Sequence, residues 1–187
     1  SADGARRFEG AGVYYGATPM EAQMCRGDEV IVVGGGNSAG QAAVFLAEGA
    51  RHVHMLVRAA GLRATMSRYL ISRIEQSARI TLWTHAEIVG LEGADRLERV
   101  RWKDSRSGRV ESRDIGHVFV MTGAEPNAQW LKGCVALDDK GFIKTGPDLT
   151  RDDLQAADWP LPRSPHLLET SLPGVFAVGD VRANHLK

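Results

Sequence analysis

From Glu29 the chain runs Glu-Val-Ile-Val-Val and then breaks into Gly34-Gly35-Gly36-Asn37-Ser38-Ala39. A short β-branched run bounded by glycines predicts a buried parallel strand. Gln41 to Ala47 is rich in helix formers and stops at Gly49, and the helix is expected to begin near Asn37. Val53 to Val57 predicts a second strand, which completes a right-handed β-turn-α-β unit. Met66, Leu70, Ile71 and Ile74 recur at helical spacing and predict a helix over Ala64 to Ser77. Ile80 to Trp83 reads as a third strand. The pattern then shortens. Ala86 to Leu91, Leu97 to Trp102 and Val110 to Arg113 are separated by turn residues and predict an antiparallel meander. His117 to Met121 returns to a buried strand that ends at Thr122-Gly123, followed by a turn through Glu125-Pro126 into a short helix at Ala128 to Leu131. Asp148 to Pro165 carries three prolines without a period and reads as a surface loop. Pro173 to Asp180 predicts a last short strand. The expected fold is α/β: a Rossmann-like, three-layer domain with a small antiparallel β-meander.

Composition narrows this picture without changing it. The chain has 187 residues, 43% apolar and 25% charged, which suits a globular protein that buries about 70% of its unfolded surface. Lys+Arg and Asp+Glu are 23 each, and this balance argues against a dedicated nucleic-acid or anionic-membrane binder. No apolar run reaches the roughly 18–20 residues of a membrane span, and the start carries no leader pattern, so the expectation is a cytoplasmic protein. Cys25 and Cys134 lie far apart, outside any C-x-x-C pair, and are expected to be reduced structural thiols. His52 and His54 would share one strand face, but no carboxylate or cysteine accompanies them in sequence, so no metal site is expected. Trp102, Trp130 and Trp159 are expected to pack rather than to stack on a ligand.

The chemistry sits on the first glycine turn. Gly34-x-Gly36-x-x-Ala39 fits the dinucleotide fingerprint, and its strand-turn-helix context makes that fit specific. Gly34 permits the sharp strand exit, Gly36 leaves room for a pyrophosphate, and Ala39 lets the helix approach the sheet. The helix then turns its unpaired N–H groups and positive dipole end toward the phosphates. After the second strand an NAD site carries an acid for the ribose hydroxyl. Here the sequence is Val57-Arg58-Ala59-Ala60-Gly61-Leu62-Arg63, and Arg58 and Arg63 can clamp a 2′-phosphate, which favours NADPH.

Gly34 to Ala39, Val53 to Ala64, Met121 to Asn127 and Thr170 to Asp180 together resemble the thioredoxin reductase-like flavoproteins of the FAD/NAD(P)-dependent pyridine nucleotide-disulfide oxidoreductase family. The resemblance runs over nearly the whole chain. It implies an NADPH-binding domain over residues 25–125, a flank of the FAD domain over 1–24, and a return segment with a partial FAD motif over 126–187. By this likeness Gly34, Gly35, Gly36, Asn37, Ser38 and Ala39 hold the pyrophosphate, and Arg58 and Arg63 match two of the family's three 2′-phosphate arginines. Ala59 stands at the third. Thr122 and Gly123 approach the nicotinamide, and Asp180 contacts FAD in the complete parent.

The family's redox C-x-x-C should fall within Val13 to Glu21, where Gly16 and Pro19 stand instead. A dithiol relay needs an attacking and a resolving thiol. This stretch is similar to a branch without these cysteines, sometimes fused to a cyclic-nucleotide-binding module. Acceptors other than thioredoxin, such as ferredoxin, occur in the wider group, and here the electron acceptor stays open. No early FAD fingerprint precedes Gly34. The expectation is therefore an excised NADPH domain that binds NADPH without catalysing hydride transfer by itself. Its parent is expected to be an oxidoreductase passing hydride from NADPH to FAD, with a homodimeric state considered. A flavin-independent NADPH dehydrogenase and a non-enzymatic NADPH-sensing module are the rival readings.

Overall fold

The computed structural model describes residues 2–123 and 126–183. Ala124 and Glu125, in the turn expected after Gly123, lie outside the described residues. The chain divides into two units at Gly123/Ala124.

In the first unit α1 (Ala2–Arg7) precedes β1 (Val13–Tyr14) and α2 (Pro19–Met24). Then come β2 (Glu29–Val33), α3 (Asn37–Leu46), β3 (His52–Leu56), α4 (Arg68–Gln76) and β4 (Ile80–Trp83). The meander is β5 (Ala86–Glu92), β6 (Arg99–Asp104) and β7 (Val110–Arg113), and β8 (Val118–Val120) closes the unit. The main sheet is wholly parallel, in the order β1-β8-β2-β3-β4. The meander is a separate antiparallel sheet, with a bulge between Ile88 and Gly90.

Strand alternation sorts the core into two layers. Val30, Val32, Val53, Met55 and Phe119 face α3 and α4, where Ala39, Ala43, Leu46, Leu70 and Ile74 are buried. Ile31, Leu56, Val118 and Val13 face the meander and Phe8, and pack on Ala86, Val100 and Trp102. A near-continuous apolar run such as Val30 to Val33 is what a strand covered on both faces requires. The result is the expected α/β architecture: helices, parallel sheet, antiparallel sheet.

His54 lies between the parallel sheet and the meander and is almost fully buried. Trp83 Nε1–H donates to its Nδ1 at 3.2 Å, so Nε2 carries the ring proton and donates to Glu29 Oε2 at 3.2 Å. Burial pushes the imidazole below its ordinary pKa, against the hydrogen bond it donates to Glu29. Burial would raise the Glu29 carboxyl. The His54 hydrogen bond and the charges of Arg51 and Arg113 outweigh it and hold that carboxyl below the usual range.

The second unit is less regular. Ala128, Val135, Ile143 and Ala177 form its small core. Three short 3-10 turns cover Gln129–Leu131, Gly146–Asp148 and Gly179–Val181, and α5 spans Arg151–Ala156.

Several expectations need correction. The segment 1–28 contains α1, β1 and α2, none of which the hydrophobic pattern revealed. The signal for α2 was a capping box, Thr18 and Glu21, with Pro19 in the first turn. The helix expected from Ala64 starts at Arg68, because Ser67 is extended and its side chain accepts from Leu70 N–H. The loop expected over 148–165 holds α5, whose Thr150 and Asp153 form a second capping box. Pro173 to Asp180 is not a strand. Glu169 and Phe176 make a single antiparallel bridge, and Gly179–Val181 closes as a 3-10 turn. Cys25 is buried, whereas Cys134 is exposed.

Candidate functional site

The strand order places β2 at a switch point. From β2 the chain moves outward through β3 and β4, and then returns on the other side of β2 as β8. Ligands of open α/β sheets bind at the carboxyl edge of such a point. Three segments selected from sequence leave the sheet there: Gly34 to Ala39 after β2, Val57 to Arg63 after β3, and Met121 to Gly123 after β8. Backbone bonds hold the three strand ends in step, from Gly34 N–H to Leu56 C=O at 3.0 Å and from Met121 N–H to Val33 C=O at 2.7 Å.

Each residue of the glycine turn has its own surroundings. Gly34 has φ +142°, and a Cβ there would meet the Met121 carbonyl oxygen at 2.5 Å and Ala39 Cβ at 3.1 Å. Ala39 is fully buried, so its small side chain sets how closely α3 approaches the sheet. Gly35 is unstrained, with Thr65 Oγ1 and Val57 at ordinary contact distance. Gly36 caps α3 in an extended conformation, φ −90° and ψ 178°, and contributes no side-chain cap. A Cβ on Gly36 would meet nothing within 4 Å. The first-turn N–H groups of this ten-residue helix have no intrahelical partner, and Asn37 and Ser38 there are exposed.

Arg58 and Arg63 are both exposed. Among the described residues neither guanidinium has a hydrogen bond or an ion pair. An anion can recruit them without breaking an existing pair. The Arg58 segment is steadied by the His85 N–H to Ala59 C=O bond at 3.2 Å, with His85 itself at φ +54°. Thr122 and Gly123 are exposed at the end of β8, Gly123 at φ +98°. Asp180 belongs to the second unit, in the 3-10 turn Gly179–Val181. Gly16 lies between β1 and α2, and Pro19 is the first residue of α2. Trp102 is packed in the core, whereas Trp130 is exposed.

The sequence reading missed Thr65 and Ser67, which tie this edge together through Gly35 and Asn37. Asn37 Oδ1 accepts the Ser67 N–H at 2.8 Å, and Thr65 Oγ1 donates to the Gly35 carbonyl at 2.7 Å. The available signal was Ser67 three residues before Leu70, an N-cap pattern that would have separated residues 64–67 from the helix.

The model of the pyridine nucleotide-disulphide oxidoreductase family matches residues 9–187. The chain is 34% identical over 156 residues to a thioredoxin reductase of Mycolicibacterium smegmatis, covering 83% of this chain and 44% of that protein. It is 29% identical over 172 residues to a thioredoxin reductase of Chlamydia pneumoniae, covering 92% of this chain and 48% of that one. Among solved structures, Lactococcus lactis thioredoxin reductase in its FR conformation superposes with a TM-score of 0.77 at 25% identity, over 98% of this chain and 54% of that one. The chain thus spans about half the length of the relatives it matches. With a family match over nearly its full extent, this chain belongs to the pyridine nucleotide-disulphide oxidoreductases and is thioredoxin reductase-like.

Proposed function

We propose that the first unit is the NADPH-binding part of a thioredoxin reductase-like flavoprotein oxidoreductase. The observation that carries this reading is Gly36. Gly34 is explained by the protein's own sterics, but Gly36 has a φ open to any residue and empty space where a side chain would go. A glycine that the protein does not need is accounted for by a ligand that must come close. A pyrophosphate suits the place, because the N–H groups and dipole of α3 favour negative charge there. Gly34, Gly35, Gly36, Asn37, Ser38 and Ala39 would seat it. Arg58 and Arg63, both unpaired among the described residues, would take the 2′-phosphate, and Thr122 and Gly123 would border the nicotinamide.

In the complete protein bound NADPH would supply hydride for a flavin, and Asp180 would lie on the FAD side. The work of this chain is to bind and orient. It has no C-x-x-C pair, and Pro19, where the resemblance places one of the cysteines, is built into a helix terminus, so the acceptor would be reached without a dithiol relay in this segment.

Calorimetric titration of the purified chain tests the reading. NADPH is expected to bind saturably and about a hundredfold more tightly than NADH, since two charge-assisted hydrogen bonds distinguish them. Arg58→Ala and Arg63→Ala should each cut that ratio by about tenfold. Absence of binding, or a ratio indifferent to both substitutions, overturns it. Flavin-free protein is expected to leave NADPH unoxidised, and turnover with a carbonyl substrate would favour a dehydrogenase instead.

A further inference from the structure

The segment that bears Arg63 is not a free loop. Leu62 is buried, and its carbonyl accepts the N–H groups of Thr65 and Met66 at 3.1 and 3.0 Å, which closes a turn around Arg63. Three ties then fasten this turn to the start of α3. Thr65 Oγ1–H donates to the Gly35 carbonyl. Ser67 N–H donates to Asn37 Oδ1. Between them Met66 is buried against Gly40, where a Cβ would lie 2.8 Å from its thioether. The backbone that launches Arg63 is therefore held at a fixed span from the glycine turn, although the guanidinium itself is exposed.

We propose that Thr65 is a positioning residue for selectivity toward 2′-phosphorylated adenine dinucleotides, an inference that rests on the NADPH reading above. Thr65 does not touch the ligand. Its hydroxyl joins the pyrophosphate seat, through Gly35, to the turn that carries Arg63. Charge-assisted hydrogen bonds weaken steeply with misplacement, so the span between the two anchors decides how much the 2′-phosphate adds. The same geometry changes the part of Asn37. Its side-chain oxygen is committed to Ser67, so Asn37 meets an anion through its backbone N–H.

The test compares Thr65→Val, which keeps the shape and loses the donor, with Thr65→Ser, which keeps the donor. Affinities are measured for NADPH, NADH, 2′,5′-ADP and 5′-AMP. Thr65→Val is expected to weaken NADPH and 2′,5′-ADP about five- to tenfold while NADH and 5′-AMP move less than about twofold. Thr65→Ser should restore the wild-type ratio, and in an Arg63→Ala background Thr65→Val should no longer affect NADPH. Equal losses for the phosphorylated and unphosphorylated ligands would overturn the proposal and reduce Thr65 to shaping the glycine turn. No loss at all, or Thr65→Ser behaving as Thr65→Val, would also overturn it. If Thr65→Val lowers the thermal midpoint, Thr65→Ala takes its place in the series. Wild-type protein that binds neither NADPH nor 2′,5′-ADP brings down the NADPH reading itself, a result distinct from a normal wild type with an unmoved ratio.

Discussion

Gly34 and Gly36 stand two residues apart in one turn and answer to different constraints. At Gly34 a side chain would strike the Met121 carbonyl oxygen at 2.5 Å, in a backbone region that L-residues rarely adopt. Gly34→Ala should therefore destabilise the first unit by roughly 1–3 kcal/mol, as overpacking in a tight site does, measured by urea unfolding. At Gly36 there is space and an ordinary φ. Gly36→Ala should cost under about 1 kcal/mol, the scale of an N-cap change, while NADPH binding falls below detection. A Gly36→Ala protein that binds NADPH normally would remove the steric argument for the pyrophosphate seat. The fingerprint spacing was legible in sequence, but which glycine serves the fold was not. That distinction depends on Met121, a residue far away in number and adjacent only through the β2–β8 pairing.

Among the elements, short helices were the least visible in sequence. α2 and α5 have six residues each and bury no side chain, so no hydrophobic period announces them. Their capping boxes were the readable signal, Thr18 with Glu21 and Thr150 with Asp153. The loop after α5 relies on a buried carboxylate. Glu169 accepts from Arg163 Nη1 at 2.6 Å, Arg163 Nη2 at 3.0 Å, His166 N–H at 2.8 Å and Gly174 N–H at 2.9 Å. The Arg163 pair first, then the two backbone donors, hold this carboxyl far below its ordinary value of 4.5. A depressed carboxylate pKa gives stability that is complete above the unfolded value and is lost only as pH falls toward the folded one. Glu169→Gln removes the charge and one acceptor, so limited proteolysis should cut faster between Arg163 and Gly174 at neutral pH. Wild-type protein should keep its resistance down to about pH 4.5 and lose it progressively as pH falls below that value. Equal cleavage rates for the two proteins would refute this account of the loop.

In the first unit, taken as a whole, the two sheets meet around His54, which contacts Trp83 and Trp102 rings at 6.2 and 5.8 Å between centroids. Its neutral form suits the Trp83 donor, and protonation of Nδ1 would set two donors against each other. Burial lowers the pKa of both His54 and His117 below the ordinary 6.5. The unfolded chain then binds more protons than the folded one just below pH 6.5. Stability should be full above that pH and decline as pH falls through the window toward the folded values. Urea midpoints measured from pH 7.5 to 5.5 should fall accordingly, and His54→Gln should flatten the slope without abolishing it, since His117 acts with the same sign. A midpoint independent of pH across this window would contradict this packing of the two layers.

Sequence alone determined the parallel strands β2 to β4, the meander and the three segments that the structure brings to the carboxyl edge. Those features are written in local patterns: apolar runs for strands covered on both faces, turn residues between short strands, glycines after a strand. Only the tertiary structure decided that Val13 and Tyr14 join the sheet beside β8, that Met66 belongs to a turn, and that Pro173 to Asp180 makes a single bridge. The first depends on Val118 and Phe119, far away in number, whereas the bridge and the turn rest on single contacts with near neighbours. A two-residue strand or a lone bridge has too few positions to show a period, so its conformation is set by the neighbour it finds.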